Sequence, residues 1–231
     1  MTDPNRDRLI ATARALGDLV DEIVFLGGSI VGLLITDPGS APVRPTKDVD
    51  GIVDPPSRLR YQQLTKRLEA KGFQPDPDGP TCRYVKDDLM VDVMPVDTEI
   101  LSFGNRWYAT AMQQHHTFTL EAGASIRVID APTFIGTKLE AFHVRGATDP
   151  MVSHDLEDIL MIVDGRSELI AEIASTIAEL REYLREQFAT LQSSAFFDDL
   201  LSGTFDAARG QIVRGRWDAI ANQTNLEEPH A

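Results

Sequence analysis

Apolar positions along this chain of 231 residues change their period several times, and the changes mark its elements. Leu9, Ala13, Leu16 and Val20 recur at helical spacing, which predicts an amphipathic helix from Arg6 to Asp21 leading into a short strand, Ile23 to Leu26. Gly27 and Gly28 break that strand, and Ser29 stands where it would cap a helix over IVGLLI. TDPGSAPVRP reads as a loop, and Lys47 to Val53 as a second strand stopped by Pro55 and Pro56. A helix is expected from Ser57 to Lys71, with Leu59, Leu64 and Leu68 inward and Gly72 as its stop. FQPDPDGP is a loop, and TCRYVKDDLMVDVMP a hairpin turning at Lys86, Asp87 and Asp88. Short strands follow at His116 to Leu120 and Ser125 to Asp130.

Beyond Pro132 the period is helical throughout. FIGTKLEAFHVRG is one helix, and SHDLEDILMIVDG another with Ser153 as N-cap. The longest is expected from Ser167 towards Gln192, with Ile170, Ile173, Ile177, Leu180, Leu184 and Phe188 on one stripe. The order predicts an α+β fold: a small mixed sheet flanked by helices over residues 1–130, then a helical region over 131–231 ending in a loose tail, LEEPHA.

Composition narrows the class. Hydrophobic residues make up 42%, enough for a real core, and no run of 18 apolar residues exists to cross a membrane. The N-terminus carries charges where a signal peptide needs an unbroken apolar core, and Cys82 is the only cysteine. These features predict a cytoplasmic protein with no membrane partner, no internal disulfide and no cysteine-cluster metal site. A net charge of −14 excludes a broad basic coat for nucleic acid but leaves room for a local basic groove.

The unusual feature is acidic and lies inside apolar strands. Asp48 and Asp50 are two apart, so both point to one face of their strand while Val49 points to the other. Two such carboxylates repel, and protonation or a divalent cation relieves them. Asp92, mid-strand between valines, offers a third ligand. Three carboxylates on neighbouring strands suit a hard cation, Mg²⁺ or Mn²⁺, which takes further ligands from substrate phosphates. Two such ions about 3.5–4 Å apart can clamp the attacking and leaving oxygens of a phosphoryl transfer. The Gly28-Ser29 turn could hold the outer phosphates of a nucleoside triphosphate, so both features ask for one ligand.

In order and content, GGS at 27–29, DVD at 48–50 and VDVMP around Asp92 resemble the signature of the DNA polymerase β-like nucleotidyltransferase superfamily, and within it the AbiEii/MenT group of toxin-type enzymes. The resemblance implies a metal-dependent transfer of a nucleoside monophosphate from an NTP to an acceptor hydroxyl, with Mg²⁺ on Asp48, Asp50 and Asp92. It implies a tRNA 3′ end as acceptor, in a toxin role relieved by a cognate antitoxin. A protein or small-molecule acceptor is the second choice, and a non-catalytic nucleotide-binding module the rival. KLEAFHVRG resembles a group helix bearing a lysine and then an arginine, which places Lys138 and Arg145 on the triphosphate. SHDLEDI resembles the group's Asp-x-x-Asp motif, which makes Asp155 and Asp158 the groups that orient Lys138 or a water. From the residues alone, Asp155 and Asp158 could equally serve a helix N-terminus and solvent. The chain departs from the group in the long interval of 18 residues between Ser29 and Asp48, and in His154 where a basic residue is usual.

Three other stretches carry weaker alternatives. His115 and His116, adjacent on a strand, point to opposite faces, so one core and one exposed histidine is expected rather than a metal pair. Trp107 and Tyr108 beside Arg106 read as core before they read as a base-stacking platform. Arg209, Arg214 and Arg216 near Trp217 fit either an RNA contact or the solvated face of an amphipathic helix.

Overall fold

The computed structural model describes residues 3–120 and 123–222, so the LEEPHA tail lies outside the described residues. The chain forms two compact units. One comprises Met1–Leu34 and Pro42–Thr137, the other Ile35–Ala41 and Lys138–Ala231.

The first unit is built on a mixed sheet of seven strands, in agreement with the expected α+β class. They are β1 (Val24–Leu26), β2 (Val49–Val53), β3 (Gln74–Pro75), β4 (Arg83–Lys86), β5 (Leu89–Pro95), β6 (His115–Thr119) and β7 (Ser125–Ile129). Their order across the sheet is β3-β4-β5-β2-β1-β7-β6. β2 runs parallel to β5 and antiparallel to β1, while β1 is parallel to β7. Every residue of β1 is buried, which its unbroken apolar sequence requires of a central strand. Helix α1 (Arg6–Leu16) packs against β2 and β5 and buries Leu9 and Leu16 completely.

Three local expectations change. The first helix stops at Gly17, whose φ of 56° is open to glycine and costly for other residues, and a 3₁₀ segment, Gly17–Glu22, carries the chain on to β1. In α3 (Arg58–Ala70), Ser57 caps as hydroxyls do, accepting from the N–H of Arg60, but Leu59 is 63% exposed and Tyr61 takes the inward place. There Tyr61 Oη donates to the Val93 carbonyl at 2.8 Å, tying α3 to β5. Within FQPDPDGP, Gln74–Pro75 forms the two-residue edge strand β3 against β4, the one role a proline tolerates in a sheet.

The second unit is helical: the end of α6 (Ala131–Ala141), then α7 (His154–Gly165), α8 (Leu169–Ser175), α9 (Ala178–Gln192), α10 (Phe197–Thr204) and α11 (Ala207–Ala221). The single helix expected over 167–192 is two, parted at Thr176 and Ile177, both extended. Ser175 bonds back to the Ala171 and Glu172 carbonyls, and Arg181 reaches the freed Ala174 carbonyl, while the buried Thr176 hydroxyl has no hydrogen-bond partner among the described residues. Phe188 and Phe197 pack on the fully buried Trp217 at ring distances of 4.2 and 4.9 Å.

A strap from the TDPGSAPV stretch belongs to this helical unit. The N–H groups of Thr36 and Asp37 both donate to the Gly165 carbonyl, and that of Ala41 donates to Asp164 at 2.9 Å. Asp164 is completely buried; Arg209 binds its carboxylate and its carbonyl, reaches Asp37 at 2.7 Å, and is joined on the carbonyl by Arg216. Removing one member of such a buried ionic group leaves the others uncompensated. Asp164→Ala is therefore expected to lose about 3–5 kcal/mol of stability, read by urea denaturation, while Asp37→Ala loses clearly less.

Candidate active site

The three aspartates singled out in the sequence converge. Asp50 and Asp92 are register partners across the parallel strands β2 and β5, and Asp48 sits just ahead of β2. One carboxylate oxygen from each lies within 4.8 Å of the others. The register forces this closeness, because paired residues of neighbouring strands present their side chains to the same face.

Gly27 makes room for the cluster. Its φ is 76°, and a Cβ built there would stand 1.9 Å from Asp50 Oδ2. The Leu26–Asp50 pairing of β1 with β2 puts that carboxylate directly against the glycine turn. The turn and the acidic strand are thus one structure, and glycine at 27 satisfies both the backbone and the space. Ser29, however, caps nothing: the N-cap position belongs to Gly27, followed by a 3₁₀ turn, Gly28–Ile30, and the short helix α2 (Val31–Leu34). Its hydroxyl is buried and has no hydrogen-bond partner among the described residues. Leaving such a group unsatisfied costs about 1–3 kcal/mol.

Two residues that the sequence reading missed hold this site. Asn5, 1% exposed, accepts from the N–H of Thr46 and donates to the Arg44 carbonyl, and Thr46 Oγ1 bonds the Asp48 carbonyl. The segment that delivers Asp48 is thereby pinned to the start of α1. Arg83 is the second. Its Nε donates to Asp92 Oδ1 at 2.7 Å, and its Nη2 to Asp92 Oδ2 at 2.8 Å and Asp48 Oδ2 at 2.9 Å. Hydrogen bonds to Asp92 hold its guanidinium well above the ordinary pKa. Burial, followed by the Asp92 charge, pushes the neighbouring Cys82 thiol up to about 12, so the lone cysteine is protonated and no nucleophile. Hairpin arithmetic could have found Arg83: a two-residue turn at Asp87-Asp88 pairs Lys86 with Leu89 and hence Arg83 with Asp92.

In the helical unit, Lys138, Arg145, Asp155 and Asp158 also assemble. Lys138 is 6% exposed, with Nζ 3.2 Å from Asp155 Oδ1 and 2.6 Å from Asp158 Oδ2. Arg145 lies on a π-helical turn, Phe142–Gly146, and grips both oxygens of Asp155 at 2.8 Å. Ser153 caps α7 as expected, accepting from the Leu156 N–H. Asp155 and Asp158 are buried at 3% and 1%, so they do not serve solvent.

The remaining candidates fall to structural roles. His116 is exposed as expected, but His115 is only half-buried rather than core, because it lies on the edge strand β6, and the one group of three or more such ligands among the described residues is the aspartate triad. Trp107 and Tyr108 are buried core, with the Arg106 guanidinium 4.7 Å from the Trp107 ring. Of the arginines near Trp217, Arg209 and Arg216 are consumed by Asp164 and its neighbours, and Arg214 pairs with Asp198 at 2.5 Å.

Burial opposes ionisation of Asp155, but the hydrogen bonds of Arg145 and the charge of Lys138 outweigh it and hold the carboxyl below its ordinary 3.8. A carboxyl depressed in the folded state stabilises the protein above its unfolded pKa and ceases to do so as pH falls through the folded one. The stability difference between the wild type and Asp155→Asn should be widest at neutral pH and narrow below pH 3.8, measured by urea denaturation across that range.

All-oxygen donors on three converging carboxylates fit a hard divalent cation, the absence of a Cβ at Gly27 admits the Asp50 carboxylate to the cluster, and the buried Ser29 hydroxyl is a donor left unsatisfied. A search of the curated proteins finds no match. A family model described as nucleotidyl transferase AbiEii toxin, type IV TA system, matches residues 10–230. The match spans both units and nearly all of the chain, and the protein belongs to the AbiEii family of nucleotidyltransferases.

Proposed function

We propose that this nucleotidyltransferase transfers a nucleoside monophosphate from an NTP to an acceptor hydroxyl at the Asp48, Asp50 and Asp92 site, with Mg²⁺ or Mn²⁺ held by those three side chains. The observation that carries the reading is the convergence of three carboxylates, on register-paired strands, against the Gly27 turn. A bound divalent ion would supply charge neutralisation for the phosphoryl oxygens. Asp92 is the proposed base for the acceptor hydroxyl, a role implied by the superfamily resemblance and one that requires Arg83 to release at least one of the two Asp92 oxygens it holds. Gly28 and Ser29 are the proposed contacts for the outer phosphates, with the unsatisfied Ser29 hydroxyl as donor. In the helical unit, Lys138 and Arg145 are proposed for triphosphate charge, oriented by Asp155 and Asp158.

As acceptor we favour the 3′ hydroxyl of a tRNA, which suits a type IV toxin whose effect an antitoxin relieves. The surface charge neither requires nor forbids it: at −14 the chain is a poor generic RNA binder, so recognition would be local. Incubation with each α-labelled NTP, divalent metal and total cellular RNA or protein tests the acceptor by asking which pool takes up label.

Asp48→Asn should reduce label transfer by at least a thousandfold while leaving the unfolding midpoint in metal-free buffer unchanged or raised, because it relieves repulsion. Ser29→Ala should raise KM for the NTP several-fold with a smaller change in kcat. Transfer that survives Asp48→Asn would remove the metal-site reading.

A further inference from the structure

The Arg83 guanidinium stands against two of the three carboxylates. Arg83 and Asp92 are directly opposed in the antiparallel β4–β5 pair, so both side chains leave the same face of the sheet. The Arg83 guanidinium spans both oxygens of Asp92 and one of Asp48 at 2.7–2.9 Å, and its side chain is 21% exposed. Two of the three groups expected to bind metal are therefore already engaged by a fixed positive charge. Arginine stays protonated at all physiological pH, so the engagement ends only when the side chain moves.

We propose that Arg83 is the resident counter-ion of the triad and competes with the divalent cation for it, so that metal binds weakly until a triphosphate draws the guanidinium away. The inference rests on the metal-site reading above. Arg83 sets its charge beside the three carboxylates and holds both oxygens of Asp92 through a two-pronged fork. A metal ion entering beside that guanidinium meets like charge, whereas a triphosphate presents the planar oxygen pairs that the same fork fits. Metal and nucleotide then favour each other's binding by equal factors, as linkage requires. The empty enzyme is protected from self-repulsion without being loaded with metal. Arg83 is a positioning residue in this account, acting through the carboxylates.

Mn²⁺ binding to the full 231-residue chain, stripped of metal, tests the idea by electron paramagnetic resonance of free Mn²⁺, with and without a non-hydrolysable NTP analogue. Arg83→Gln should bind Mn²⁺ at least tenfold more tightly than wild type without nucleotide, and should lose most of the tightening that the analogue produces in wild type. Arg83→Lys, which keeps the charge but not the fork, should gain several-fold. If the glutamine variant does not fold without metal, the lysine variant carries the comparison. Unchanged or weaker Mn²⁺ binding in a folded variant, while the wild type binds Mn²⁺ with the analogue, overturns this inference and spares the metal site. No Mn²⁺ binding by any of the proteins, with analogue or without, overturns both.

Discussion

The first unit depends on the mutual repulsion of carboxylates that strand register forbids from separating. Asp50 and Asp92 are paired across β2 and β5, so they cannot part without breaking the ladder at the centre of the sheet. At the 4.8 Å that bounds the cluster, two like charges repel by about 3–4 kcal/mol at an effective dielectric near 20. That penalty is large beside the net stability of an ordinary domain, and the surrounding residues are arranged around it. Arg83 neutralises part of the charge, Gly27 leaves space for the Asp50 carboxylate, and Asn5 with Thr46 keeps Asp48 from swinging away. A strand with valine at these positions would fold more easily and bind nothing.

The helical unit handles buried charge by full compensation. Lys138 is shared by two aspartates, Asp155 is shared by two cations, and Asp164 is closed off by Arg209, Arg216 and a backbone N–H. In the first unit, by contrast, Arg83 is shared between Asp48 and Asp92, and the three carboxylates converge closely enough to hold a further cation. A chain with a net charge of −14 is poorly suited to coat nucleic acid over a broad surface.

Much of this was legible in the residues because it follows from period and order. Strand, glycine turn, Asp-Val-Asp strand and hairpin appear where the alternation of apolar and polar positions places them, and with them the triad. The misreadings have local causes. Leu59 matches the helical stripe by spacing, but the larger Tyr61 fills the place against β5 and also finds a carbonyl there. Ser29 has the identity of a cap, but the 3₁₀ turn that begins at Gly28 sends its hydroxyl inward. The stripe from Ile170 to Phe188 stays in phase across the break at Thr176, so periodicity alone could not see two helices in it. The partners of the TDPGSAPV stretch were invisible for a different reason, since pairing at a separation of 172 residues leaves no local signature.

That separation gives the strap a history within each molecule. Asp37 must be made long before Arg209, and at about 5–20 residues per second the wait is roughly 10–35 s. Throughout it, the stretch between Leu34 and Pro42, which leads directly into the segment bearing Asp48, has no arginine to hold it. The last helix among the described residues, α11, is the one that closes the clasp. A nascent chain thus carries the acidic strand of a transferase well before α11 has emerged, and ribosome exit of α11 sets the earliest moment at which the Asp37–Arg209 pair can close over a strap that α7 already holds.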